Sequence, residues 1–206
     1  MLDRLRKGVR EFQNKVAPQK AELFERLAEG QTPDTLFVTC SDSRIDPHLI
    51  TQSRPGDLFI VRNPGNMISP YPSHDLSCAA AVEFAVSFLK VKQIVLCGHS
   101  DCGAIRALLE PEMAKGLKAV SAWLADLKYD PIDLLGDDGT QSEPRSDAAV
   151  RRNICIQWEN LLTHPCVQEA VDRRELEIDV WFYEIATGRV EVGQELEAGA
   201  TIWEPI

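Results

Sequence analysis

Apolar residues Leu2, Leu5, Val9, Phe12 and Val16 recur at helical spacing, and after Pro18 a second such run passes through Leu23, Leu27 and Ala28 to Gly30. Two amphipathic helices are therefore predicted to open the chain. The pattern then changes period. Thr35–Thr39 is a short β-branched and aromatic run, and Leu58–Arg62 repeats it after a Pro55-Gly56 turn. Both runs lack polar alternation and predict buried parallel strands. Residues 75–90 predict an Ala-rich helix with Asp75 as its N-cap, followed by a strand at Gln93–Cys97 and another helix beyond Gly103. Strand, helix, strand, turn and helix in this order are the grammar of right-handed βαβ units, hence an α/β fold. Helices fit 147–163 and 166–173, a strand fits Ile178–Ile185, and a Thr187-Gly188 turn leads to a short strand at Arg189–Val192. Residues 129–147, rich in Asp, Pro, Gly and Ser, read as a mobile excursion between helices.

Composition narrows the class. The 206 residues, 44% hydrophobic and 26% charged, suit a single globular domain spanning 1–206. A net charge of −10 disfavours nucleic acid and anionic membrane surfaces as partners. The first residues contain no apolar signal region and no stretch is long enough for a membrane span, so a cytoplasmic location is expected. There the six cysteines, at 40, 78, 97, 102, 155 and 166, read as buried hydrophobes, metal ligands or nucleophiles rather than crosslinks.

Chemistry concentrates at the carboxyl ends of two predicted strands, where open α/β sheets place ligand crevices. Cys40 follows the first strand; His99 and Cys102 follow the third. Two cysteines and one histidine suit tetrahedral zinc with a fourth position left open. A buried cysteine beside a structural histidine is the plainer alternative. Asp42 and Arg44 add weight, since a carboxylate near a thiolate ligand could take the fourth metal position or accept a hydrogen bond from a bound water, with Arg44 clamping it. A helix N-cap with a surface ion pair would explain the same two residues.

Cys40-Ser-Asp-Ser-Arg44 and His99-x-x-Cys102-Gly103 resemble the two signature motifs of the β-class carbonic anhydrases. The similarity continues through Pro55–Asn63, Val82–Ala85, Cys97–Ala104 and Leu161–Pro165, covering nearly the whole chain. The resemblance implies an α/β fold around a mostly parallel sheet, with residues 1–30 a helical arm embracing a second subunit in a homodimer or dimer of dimers. It also implies one zinc per chain and reversible hydration of CO2 to bicarbonate by zinc-activated hydroxide. On matching positions, Cys40, His99 and Cys102 are the zinc ligands and Asp42 with Arg44 the catalytic dyad. Gln31 is a substrate-binding amide reaching across the dimer, Phe59 and Phe84 line an apolar pocket, and the Gly103 N–H is a donor to a bicarbonate oxygen.

Phe84 stands where many relatives of this kind carry Tyr, Pro64 precedes Gly65, and the acidic Asp101 lies between His99 and Cys102. Hydrolysis of carbon disulfide or carbonyl sulfide on the same zinc scaffold is the alternative reaction, and a structural zinc in an interaction module the alternative class. His48, His74 and His164 read as capping or loop residues, and Cys78, Cys97, Cys155 and Cys166 as packing residues.

Overall fold

In a computed structural model that describes residues 2–72, 75–126, 134, 144–197 and 200–206, the chain forms two compact units, Met1–Thr32 and Pro33–Ile206. The first holds α1 (Leu2–Glu11), continued by a wide π-helical turn at Phe12–Val16 and a short turn at Ala17–Gln19, and then α2 (Ala21–Ala28). Phe12 and Phe24 pack edge to face within it, their ring centroids 5.7 Å apart. The apolar stripe expected on α1 is present but exposed: Leu2, Leu5, Val9, Phe12 and Val16 are all in contact with solvent.

The second unit is built on a six-stranded sheet in the order β2-β1-β3-β4-β5-β6. The strands are β1 (Thr35–Cys40), β2 (Leu58–Asn63), β3 (Gln93–His99), β4 (Glu177–Tyr183), β5 (Val190–Glu197) and β6 (Ala200–Pro205). The first four run parallel, and β5 and β6 extend the sheet antiparallel. Leu36, Phe37 and Val38 on β1 and Ile94, Val95, Leu96 and Cys97 on β3 are buried without alternation, which is why their runs read as continuous apolar segments. The helices are α3 (Pro47–Thr51), α4 (Leu76–Glu83, continued by a π-helical turn at Phe84–Leu89), α5 (Gly103–Leu109), α6 (Lys118–Asp126), α7 (Arg145–Leu162) and α8 (Pro165–Asp172). Asp75 caps α4 by accepting from the Ser77 and Cys78 N–H groups, as its position in the sequence predicts.

Three boundaries differ from the sequence reading. α7 begins at Arg145, so the last residues of the 129–147 excursion are its first turn; most of the remainder lies outside the described residues, as does His74. β5 runs beyond Val192, and β6 was not expected. Both belong to an edge hairpin, where one strand face needs little apolar surface and the sequence is interrupted by Glu residues.

α7 lies so close to β3 that no side chain fits at Gly98: a Cβ there would stand 2.7 Å from Ile154 Cδ1 and 2.8 Å from Val150 Cγ1, both on fully buried residues. Gly98→Ala is therefore expected to destabilise the fold by about 1–3 kcal/mol through overpacking, read as a lower midpoint in urea unfolding with an unchanged slope. An unchanged midpoint would show that α7 shifts freely against the sheet.

Candidate functional site

β1 and β3 are parallel neighbours, so their carboxyl ends open on the same edge of the sheet. Cys40 ends β1, His99 ends β3, and Cys102 is the N-cap residue of α5. The three ligand atoms lie within 4.8 Å of one another, and all three residues are buried. Cys40 Sγ and Cys102 Sγ are 3.8 Å apart. Two metal–sulfur bonds of about 2.3 Å meeting at a tetrahedral centre would set their sulfurs about 3.8 Å apart, so the donor set fits zinc. His99 Nδ1 is 2.9 Å from the Ser100 carbonyl oxygen, which fixes the proton on Nδ1 and leaves the Nε2 lone pair free. That Nε2 is buried and has no hydrogen-bond partner among the described residues, an arrangement that is costly unless a Lewis acid uses the lone pair.

The thiols titrate as a pair. The hydrogen bond from Cys102 pulls Cys40 down to about 4 against the effect of burial, aided by His99 and by the Gly65 and Asp42 N–H groups. Cys102 is pushed far up by the Cys40 thiolate and by burial, although the Ala104 and Ile105 N–H groups at the start of α5 pull the other way. Burial would lower His99, but the neighbouring Cys40 thiolate outweighs it and the imidazole is raised. Binding a divalent metal through both sulfurs must therefore expel the Cys102 proton.

Asp42 stands beside this group, with Oδ2 3.9 Å from His99 Nε2. Arg44 grips it as a fork: Nε donates to Oδ1 at 3.0 Å, Nη2 to Oδ2 at 2.8 Å, and the Arg44 backbone N–H to Oδ1 at 2.9 Å. These bonds hold the carboxyl well below the usual range. The helix-cap alternative fails here, because Asp46 and not Asp42 caps α3, accepting from the His48 and Leu49 N–H groups.

Arg62 was not singled out in the sequence, yet it shapes the loop that carries Asp42. Its Nε donates to the Cys40 carbonyl at 3.0 Å and its Nη2 to the Asp42 and Ile45 carbonyls at 2.7 and 2.9 Å. A lone cation closing an apolar strand was the available signal. The Gly65 N–H donates to Cys40 Sγ at 3.4 Å, and Asn153 on α7 holds the Gly65 carbonyl at 3.1 Å. Asp101 also escaped assignment, and it contacts Arg44 directly.

Gly103 follows Cys102 as the first residue of α5; its Cα faces open space and no side chain caps the helix, so its N–H is available as a donor. Phe59 and Phe84 lie elsewhere within the chain. Phe59 pairs with Leu36, about 13 Å along the strand from the Cys40–Asn63 register, and its ring is 6.0 Å from that of Phe84. Phe84 stacks on Phe88 at 4.9 Å, and both remain exposed, at 40% and 71%. Gln31 is an exposed loop residue of the first unit. His48 Nδ1 pairs with Ser53 Oγ at 3.0 Å and His164 Nε2 with the Ser69 carbonyl at 3.0 Å.

The carbonic anhydrase family model matches residues 35–190. The chain is 40% identical over 184 residues to a carbonic anhydrase of Pseudomonas aeruginosa, covering 89% of this chain and 84% of that protein. It is 38% identical to one of Synechococcus elongatus over 91% of this chain and 70% of that one. Among solved structures, the β-carbonic anhydrase CcaA superposes with a TM-score of 0.89 at 36% identity, covering 98% of both chains. A tetrameric β-carbonic anhydrase from Sordaria macrospora gives 0.74 at 30% identity, again over 98% of both chains.

Proposed function

The chain belongs to the β-class carbonic anhydrases, enzymes that interconvert CO2 and bicarbonate, and we propose that it does so with one zinc per chain held by Cys40, His99 and Cys102. The observation that carries this reading is the unpartnered His99 Nε2 set among two sulfurs and a clamped carboxylate. Zinc at such a site supplies Lewis acidity that brings a water from a pKa of 15.7 to near neutrality.

The protein's residues do the rest. Asp42 keeps an unused Oδ2 lone pair on the side facing His99, where it accepts a hydrogen bond from the nucleophile and turns that nucleophile's lone pair toward carbon. Arg44 permits only an acceptor at that place, because its fork occupies the other carboxylate sites. The Gly103 N–H meets negative charge as it develops on a product oxygen. Gln31 supplies a further amide donor from the partner chain of a homodimer. The Phe59–Phe84–Phe88 face, half-buried at Phe59 and exposed at Phe84 and Phe88, is apolar enough to hold a nonpolar gas, and it serves the partner's site because Phe59 lies about 13 Å along β2 from the register of Cys40. Dimers then pair into a dimer of dimers, a reading supported by a relative that is tetrameric. CO2 is neutral, so a charge of −10 does not hinder its approach. All six cysteines are free, which fits a reducing cytoplasm.

The purified protein is expected to contain about one zinc per chain and to hydrate CO2 in a stopped-flow indicator assay at neutral to alkaline pH. Hydrogen sulfide release from carbon disulfide or carbonyl sulfide without CO2 hydration would move the assignment to the alternative substrate. Zinc-loaded protein inert in both assays would overturn the reading.

A further inference from the structure

Arg44 has a second carboxylate. Its Nη1 donates to Asp101 Oδ2 at 3.2 Å and its Nη2 to the Asp101 carbonyl at 3.1 Å, while Nε and Nη2 serve Asp42. The guanidinium is thus gripped on two adjacent edges that share Nη2 and cannot rotate without breaking contacts to one acid or the other. Asp101 is itself anchored. Arg106 on α5 donates to its Oδ1 at 3.0 Å, and its N–H donates to Asp147 Oδ1, in the first turn of α7, at 2.9 Å. Its backbone is left-handed, with φ 55°, a conformation that Asp and Asn tolerate better than other side chains. The charges alternate along Asp42, Arg44, Asp101 and Arg106, so the row is neutral as a whole.

We propose that Asp101 is a positioning residue for CO2 hydration: anchored by Arg106 and α7, it holds the Nη1–Nη2 edge of the Arg44 guanidinium and so fixes the plane in which Asp42 meets the nucleophile. The proposal rests on the carbonic anhydrase reading for its catalytic consequence, though not for its geometry. Arg44 and Asp101 are each about half exposed in their side chains, at 43% and 52%, so water screens the pair and its contribution is modest.

The test uses Asp101→Asn in the zinc-loaded enzyme, since Asn keeps the left-handed backbone and removes the charge. Expected are unchanged zinc content, KM within about twofold, and kcat lower by about three- to fivefold, the range an exposed charge pair supplies. The Nε–H bond of Arg44, followed by NMR relaxation, should become more mobile. Arg106→Gln should reproduce part of both effects. In an Arg44→Gln background, Asp101→Asn should lower kcat no further, since its route to Asp42 is gone. Equal losses in the two backgrounds, loss of zinc from Asp101→Asn, or unchanged kcat with unchanged Arg44 mobility would each overturn the proposal. A wild-type enzyme without CO2 hydration would instead defeat the functional reading, and Arg44 mobility would still test this one.

Discussion

Asp42→Asn is expected to keep its zinc and lose CO2 hydration by about 10²–10³-fold in kcat, the range for removing a positioned proton acceptor. The variant is nearly isosteric, so its effect is one of hydrogen-bond sense. Oδ1 accepts from both the Arg44 N–H and Nε, which forces the single carbonyl oxygen of Asn into that place. The NH2 group then occupies the Oδ2 position, 2.8 Å from a donating Arg44 Nη2 and 3.9 Å from His99 Nε2. A donor stands where the reaction needs an acceptor. Zinc analysis beside stopped-flow kinetics separates the two effects, and full turnover in Asp42→Asn would refute the role.

The sign of the pH dependence follows from the same clamp. Arg44 holds Asp42 well below the usual carboxylate range, so its stabilising contribution is complete above the ordinary value of about 4 and is lost only as pH falls through the lower folded value. Asp42 is ionised throughout neutral pH. Asp42 therefore adds no titration of its own near neutrality, and Asp42→Asn should lower the plateau of the activity profile.

The two central strands were legible because they are buried on both faces, and a strand buried on both faces has no polar alternation to disguise it. The candidate metal-binding residues were legible for a related reason: Cys40 and His99 are the last residues of those strands, where parallel neighbours bring distant sequence to one edge. Asp42 could be read two ways, and only the observation that Asp46 caps α3 removes the helix-cap alternative. The grip of Asp101 on Arg44 and that of Arg62 on the Cys40–Ile45 loop join residues far apart in sequence, so no local spacing announces them. The hairpin of β5 and β6 was shortened for a different reason, since edge strands fold by backbone pairing and carry a weak apolar signature. Phe59 and Phe84 were legible only by type: both suit an apolar pocket, while the strand register sets Phe59 opposite Leu36, about 13 Å along the sheet from Cys40.

Cys40→Ser is expected to abolish metal retention, with zinc falling from about one per chain to near zero after chelator dialysis and CO2 hydration falling by at least about 10³-fold. Cys40 is the thiol of the pair that ionises readily, drawn down to about 4, and serine offers no anion at neutral pH. Its shorter bond also withdraws the donor atom from a pair of sulfurs spaced 3.8 Å apart, leaving two ligands where three converge. Unfolding provides an independent measure, because a metal that binds only the folded chain stabilises it by about 4 kcal/mol at a thousandfold excess over Kd. Chelation should lower the melting temperature of the wild type, whereas Cys40→Ser should melt at the same temperature with or without added zinc. Cys78→Ser is the contrast. Cys78 is buried on α4, pushed up to about 12 by burial and by Asp75, and plays no part in the centre, so this variant should keep zinc and turnover. Zinc and activity retained in Cys40→Ser, or lost equally in Cys78→Ser, would show that the metal is held by some set other than Cys40, His99 and Cys102.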